Sequence, residues 1–134
     1  MLWTMRKRVV LLFVGLFVGL AFAFAQDVPA GVIAALKKGN PQELVRYLGE
    51  AVDVTIGDKT VSGNKARAEQ ELTTFFAGNK VRTFDINHRG KRGESGFIVG
   101  TLQTEGGAYR VNCFFRMRQN EYYIHQIRID KTEP

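Results

Sequence analysis

His88 and His125 carry the two imidazoles of the chain, and imidazole is the side chain whose charge changes near neutral pH. They are therefore its candidates for a general acid or base. Read as strand, Phe84-Asp85-Ile86-Asn87-His88 sends Phe84, Ile86 and His88 to one side. If that side is concave, an imidazole points into a pocket. His125 alternates in the same way with Ile127 and Ile129. Either ring also fits a structural role, hydrogen-bonded to a neighbouring strand or helix end.

Other reactive types are sparse. Cys113, the single cysteine, stands mid-strand between Asn112 and Phe114 rather than at a helix N-terminus or another activating position, so it reads as a small buried apolar group. Two histidines with no Asp, Glu or Cys at ligand spacing make no zinc or iron site, which needs three or four converging ligands. No metal and no cofactor is expected. Isomerase chemistry would need a carboxylate facing a hydrogen-bond donor inside an apolar cavity. Asp53 and Asp85 alternate with apolar neighbours instead, and so point away from the core.

Arg110, Arg116 and Arg118 line one strand face, beside a basic loop of Arg89, Lys91 and Arg92. Such a stripe suits an acidic ligand, glycan or anionic lipid, or else a solvated face paired with Glu105, Glu121 and Asp130. Gly90 to Gly93 lacks the strand, glycine-rich turn and helix order of a phosphate loop.

The elements that hold these groups follow a leader. Arg6-Lys7-Arg8 precedes the apolar run from Val9 to Phe24, which closes on Ala23-Phe24-Ala25, the pattern of a secretory signal with a small-residue cleavage site. Cleavage between Ala25 and Gln26 makes 1–25 a signal peptide and leaves 26–134 as one domain, periplasmic or secreted. The apolar run is shorter than the roughly 20 residues that span hydrocarbon. Position 26 is not the cysteine that lipid attachment would need, so no stable membrane anchor is expected after cleavage. Without the three leader bases the formal charge falls from +6 to +3, too mild an excess to indicate nucleic acid.

Val28 to Lys38 is punctuated as a helix by Pro29 at its start, Lys37 and Lys38 in its last turn and Gly39 as its stop. Asn40, Pro41 and Glu43 open a second helix as cap, first position and capping-box partner, with Gly49 ending it. Val52 to Ile56 alternates as a strand. Ser62-Gly63-Asn64 caps a third helix reaching Ala77, whose apolar face is Ala68, Leu72, Phe75 and Phe76. From there the period changes from 3.6 to 2. Val81 to Arg89, Gly96 to Thr104, Tyr109 to Arg118 and Tyr122 to Asp130 read as strands, joined at a loose Gly90–Gly93 loop, at Gly106-Gly107 and at Gln119-Asn120.

Helices followed by hairpin-linked strands give an α+β domain, with N-terminal helices packed on a curved antiparallel β-sheet. The later strands carry apolar residues on both faces, Phe114 opposing Cys113 and Phe115, and Val99 opposing Ile98. That predicts a homodimer through the sheet face.

This order resembles the nuclear-transport-factor-2-like superfamily, a cone with a pocket between helices and sheet. More narrowly, the chain resembles the secreted family known as domain of unknown function 4783. Carrying the resemblance are Gly39-Asn40, Phe75-Phe76, Phe84-x-Ile86-x-His88-x-Gly90, Ile98-x-Gly100-x-Leu102-x-Thr104 and Tyr109-Arg110-Val111. The wider superfamily holds isomerases, dehydratases, hydrolases and binding modules, so the resemblance implies a fold and leaves the activity to the site. In such a cone, the reading of the strands and the third helix places Phe75, Phe76, Phe84, His88, Tyr109 and His125 around the pocket.

Three functions fit these residues. One is a noncatalytic module that binds a small apolar or amphipathic ligand, or a protein partner. Another is a small isomerase, dehydratase or hydrolase with His88 or His125 as base. The third is a structural homodimeric envelope component.

Overall fold

The computed structural model describes residues 28–132. The leader and its cleavage point at Ala25–Gln26 lie outside the described residues. Helix α1 (Ala30–Lys38) ends where Gly39 turns left-handed at φ 64°. There the Asn40 N–H donates to Ala35 O and the Gly39 N–H to Leu36 O, satisfying two carbonyls the helix end would orphan. Asn40 then caps helix α2 (Pro41–Val45), its Oδ1 accepting from the Gln42 and Glu43 N–H groups at 3.1 and 3.2 Å. One residue thus closes a helix with its backbone and opens the next with its side chain.

Strand β1 (Leu48–Ile56) turns at Gly57 into β2 (Lys59–Gly63). The second strand escapes sequence reading because its alternation rests on a single apolar residue, Val61. Helix α3 (Lys65–Gly78) is capped by Asn64, which accepts from the Arg67 N–H, and buries Ala68, Leu72, Phe75 and Phe76 as its periodicity predicts. Four strands follow: β3 (Val81–Arg92), β4 (Ser95–Thr104), β5 (Gly107–Arg118) and β6 (Glu121–Lys131). The expected loose loop at Gly90–Gly93 is instead strand up to Arg92, where a tight turn at Gly93, φ 60°, pairs Arg92 with Ser95. Gln119 and Asn120 both take positive φ, 51° and 65°, as the tightest hairpins require.

The sheet runs β2-β1-β6-β5-β4-β3. The meander β3 to β6 is antiparallel as expected, whereas β1 lies parallel to β6. A parallel pair needs a long crossover, and α3 with the first three meander strands supplies it. α1 rests on β3, α3 on β1 and β2, and α2 joins the two helices. All three helices sit on one face, over a core that includes Val32, Leu36, Leu72, Phe84, Leu102, Phe115, Ile124 and Ile127. The α+β assignment holds, with the sheet curved and unclosed.

Candidate functional site

Cross-strand partners share a face, so the ladder shows which side chains reach the helix-bearing side. Phe84 stands across from Leu102 and Ile86 from Gly100, both on that inner face. The register then slips: Asn87 is an extra residue, His88 stands across from Val99 and Arg89 from Ile98. Ile98 is 1% exposed, in the core. A bulge thus reverses the alternation. His88, expected in the pocket beside Phe84 and Ile86, is exposed on the outer face. Arg89 and Lys91, which stands across from buried Gly96, take the inner side. Thr101 pins the bulge by donating from Oγ1 to Asn87 Oδ1 at 2.9 Å.

The same device corrects His125. Phe115 pairs with Ile124 and Phe114 with Gln126, leaving His125 as the extra residue. The ring does not share the face of Ile127 and Ile129. It lies on the outer face with Phe114, ring centroids 6.4 Å apart. Burial pulls its pKa below the ordinary value, the Arg116 charge adds to that, and Asp53 opposes both. Asp53 and Asp85 are exposed, Asp53 across from Gln126 and Asp85 across from Thr101, on the outer side as expected.

The remaining expected pocket residues come together in direct packing contact. Phe75 meets Phe76 and Tyr109 edge to face, centroids 5.2 and 5.0 Å apart. The Tyr109 hydroxyl donates to Asn79 Oδ1, and Asn79 Nδ2 donates to Phe75 O, both at 3.0 Å. Phe84 lies over Gly100, where a Cβ would strike its ring. Phe75, Phe76 and Phe84 are buried. They plug the end of the meander where β3 and β5 begin.

The opposite end is open. A cleft of about 810 Å³ is lined by Val28, Pro29 and Ala30 where α1 begins, by Arg46 and Tyr47 between α2 and β1, by Arg89, Gly90 and Lys91 of β3, and by Asn120, Glu121, Tyr122 and Tyr123. Its shape follows from local sequence. Gly96 has no side chain, and a Cβ there would lie 3.3 Å from Val28 and 3.6 Å from Tyr122, so those two close over the strand. Gly31 leaves room for the Tyr47 phenol across the first turn of α1. The Ile124 N–H donates to Tyr47 O at 2.7 Å and ties the Arg46–Tyr47 corner to β6. Tyr123 donates to Glu121 Oε2 at 2.7 Å. That hydrogen bond, with the charge of Glu121, raises the Tyr123 pKa. A smaller hollow of about 500 Å³, with Lys65 and Arg118 in its wall, shares Tyr123.

Among the described residues the cleft lining contains one carboxylate, no imidazole and no thiol. It presents cations, phenols and apolar surface. Cys113 is fully buried in mid-sheet, and burial pushes its pKa up to about 12. Among the described residues no three of His, Cys, Asp and Glu converge to hold a metal ion. Sequence reading missed Arg46, Tyr47 and Tyr123, and placed Arg89 and Lys91 in a loop. The step from Tyr122-x-Ile124 to Ile127-x-Ile129 breaks period two and betrays the β6 bulge.

Residues 29–130 match the family described as Domain of unknown function (DUF4783). A crystal structure of a DUF4783 family protein from Bacteroides uniformis is 55% identical, with TM-score 0.78, over 81% of this chain and 100% of that one. Another, from Bacteroides ovatus, is 48% identical with TM-score 0.79, over 81% and 99%. A protein of the nuclear-transport-factor-2-like family from Streptomyces avermitilis shares the fold alone, at 14% identity and TM-score 0.60 over 87% and 94%. No curated protein matches the chain.

Proposed function

The chain belongs to the domain-of-unknown-function family DUF4783, which supplies a fold and no reaction, and we propose that it is an exported, noncatalytic module holding a small amphipathic ligand in the cleft at the open end of its sheet. The cleft lining carries this reading. Val28, Pro29, Tyr47 and Tyr122 offer apolar and aromatic surface to a ligand body, with polar groups at the rim for its other end. About 810 Å³ lies within the span of small-molecule sites. Export rests on the leader Arg6 to Ala25. A histidine base finds little support, because both imidazoles lie on the face away from the cleft.

The test uses N-phenyl-1-naphthylamine, a neutral apolar fluorophore, on the mature chain and on Ala30→Trp, which fills the cleft from an exposed position. Saturable binding at one site, lost in Ala30→Trp with unchanged melting temperature, supports the proposal. Absence of saturable binding, or binding unaffected by the tryptophan, overturns it.

A second proposal concerns the outer face. Phe97, 38% exposed, stands across from Phe114. Arg110 and Arg116 on one hand, Asp53 and Asp85 on the other, flank this apolar centre on the same side. A surface with both signs around an apolar centre can complement itself about a two-fold axis, so the partner is a second copy of this chain. Sedimentation at high micromolar concentration should find a dimer that Phe97→Glu dissociates. A wild-type monomer overturns it.

A further inference from the structure

We infer that the ligand of the cleft carries an anionic group, a carboxylate, sulfonate or phosphate monoester, on an apolar body, and that Arg46, Arg89 and Lys91 select it. This deepens the binding proposal and rests on it. The three cations come from two separate parts of the chain, the α2–β1 corner and the far end of β3, and converge on one concavity. The ion pairs among the described residues are Lys38–Glu43, Lys59–Glu71 and Arg128–Asp130, so none of the three has a carboxylate partner among those residues. The one acid among the described lining residues, Glu121, accepts a hydrogen bond from Tyr123.

The start of α1 faces the same space. Pro29 gives no side-chain cap, and no acidic residue occupies the first turn, so the N–H groups there add partial positive charge. Concave walls with a positive balance, three cations against Glu121, concentrate the potential that a solvated stripe would disperse. The β3 bulge is what assembles the site: without Asn87 as an extra residue, Arg89 and Lys91 would face the outer side. Tyrosine rings beside guanidinium groups then suit a flat or chain-like body with a charged end.

The experiment compares two probes of one body. 8-Anilino-1-naphthalenesulfonate is N-phenyl-1-naphthylamine with a sulfonate added, so the affinity difference between them isolates the charge. The sulfonate should bind the wild-type chain more tightly, and Arg89→Gln/Lys91→Gln should weaken it by about tenfold while leaving the neutral probe unchanged. If the neutral probe binds in the cleft and the double variant alters neither affinity, the anion inference is overturned and the cleft proposal stands. If neither probe binds saturably, both fail. Octyl phosphate should displace the sulfonate at concentrations where inorganic phosphate does not. Equal displacement by inorganic phosphate overturns the requirement for an apolar body, and co-sedimentation with phosphatidylglycerol vesicles overturns a monomeric ligand in favour of a membrane head group.

Discussion

His88 and Arg89 are consecutive in β3 yet stand across from Val99 and Ile98, so the imidazole faces outward and the guanidinium faces the cleft. One extra residue at Asn87 makes that exchange. The consequence is an open end that presents cations and phenols in place of an imidazole.

The aromatic end should behave as core and not as site. Tyr109→Phe removes the hydroxyl that donates to Asn79 and should cost about 1 kcal/mol, while Phe75→Ala should cost about 3 to 5 kcal/mol through the cavity it leaves. Denaturant titration measures both. Neither change should alter the affinity of the cleft for N-phenyl-1-naphthylamine.

Cys113 should be inert in the folded protein. A thiol with its pKa pushed up to about 12 and no exposed surface yields almost no thiolate at pH 8. Ellman's reagent should therefore leave the native chain unmodified over hours and titrate one thiol per chain once guanidinium unfolds it. Rapid labelling of native protein would contradict the packing described for mid-sheet.

His125 predicts a pH dependence with a definite sign. Burial, assisted by Arg116 and opposed by Asp53, holds its folded pKa below the ordinary 6.5. Between the folded and unfolded values the unfolded chain binds more protons, so stability rises with pH across that window. The contribution is complete above pH 6.5 and is lost as acidification passes from 6.5 through the folded value. The stability of His125→Gln, followed by denaturation from pH 7.5 downward, should show a shallower loss than wild type.

The Asn40 cap should matter more than its exposure suggests. It accepts from two backbone donors, and Asn40→Ala should lower stability by about 1 kcal/mol. Asn40→Asp should largely restore it, which separates the cap from a general effect of substitution.

Much of the fold is legible because local rules act locally. Gly39 and Asn40 stop one helix and start another, Asn64 caps α3, and Gln119-Asn120 makes the tight hairpin, each from its own side-chain chemistry. The parallel union of β1 with β6 is not legible, since both strands read alike whichever neighbour they choose. The facing of the β3 side chains is hidden for a related reason. Beyond Ile86 both phases of β3 are polar, so no apolar residue fixes which side faces in, and Asn87 shifts the phase unseen. In β6 the interval between Ile124 and Ile127 does record the bulge. The cleft itself draws on four separated segments, which no spacing rule connects.

The central claim, that the open end and not the aromatic end receives a ligand, is tested most directly by amide chemical-shift mapping of the uniformly ¹⁵N-labelled mature chain titrated with N-phenyl-1-naphthylamine. The largest saturable shifts should fall on Ala30, Arg46, Tyr47, Arg89, Lys91 and Tyr123, with Phe75, Phe84 and Tyr109 unmoved. Shifts centred on Phe75, Phe76 and Tyr109, or spread over the outer face around His88 and His125, would contradict it.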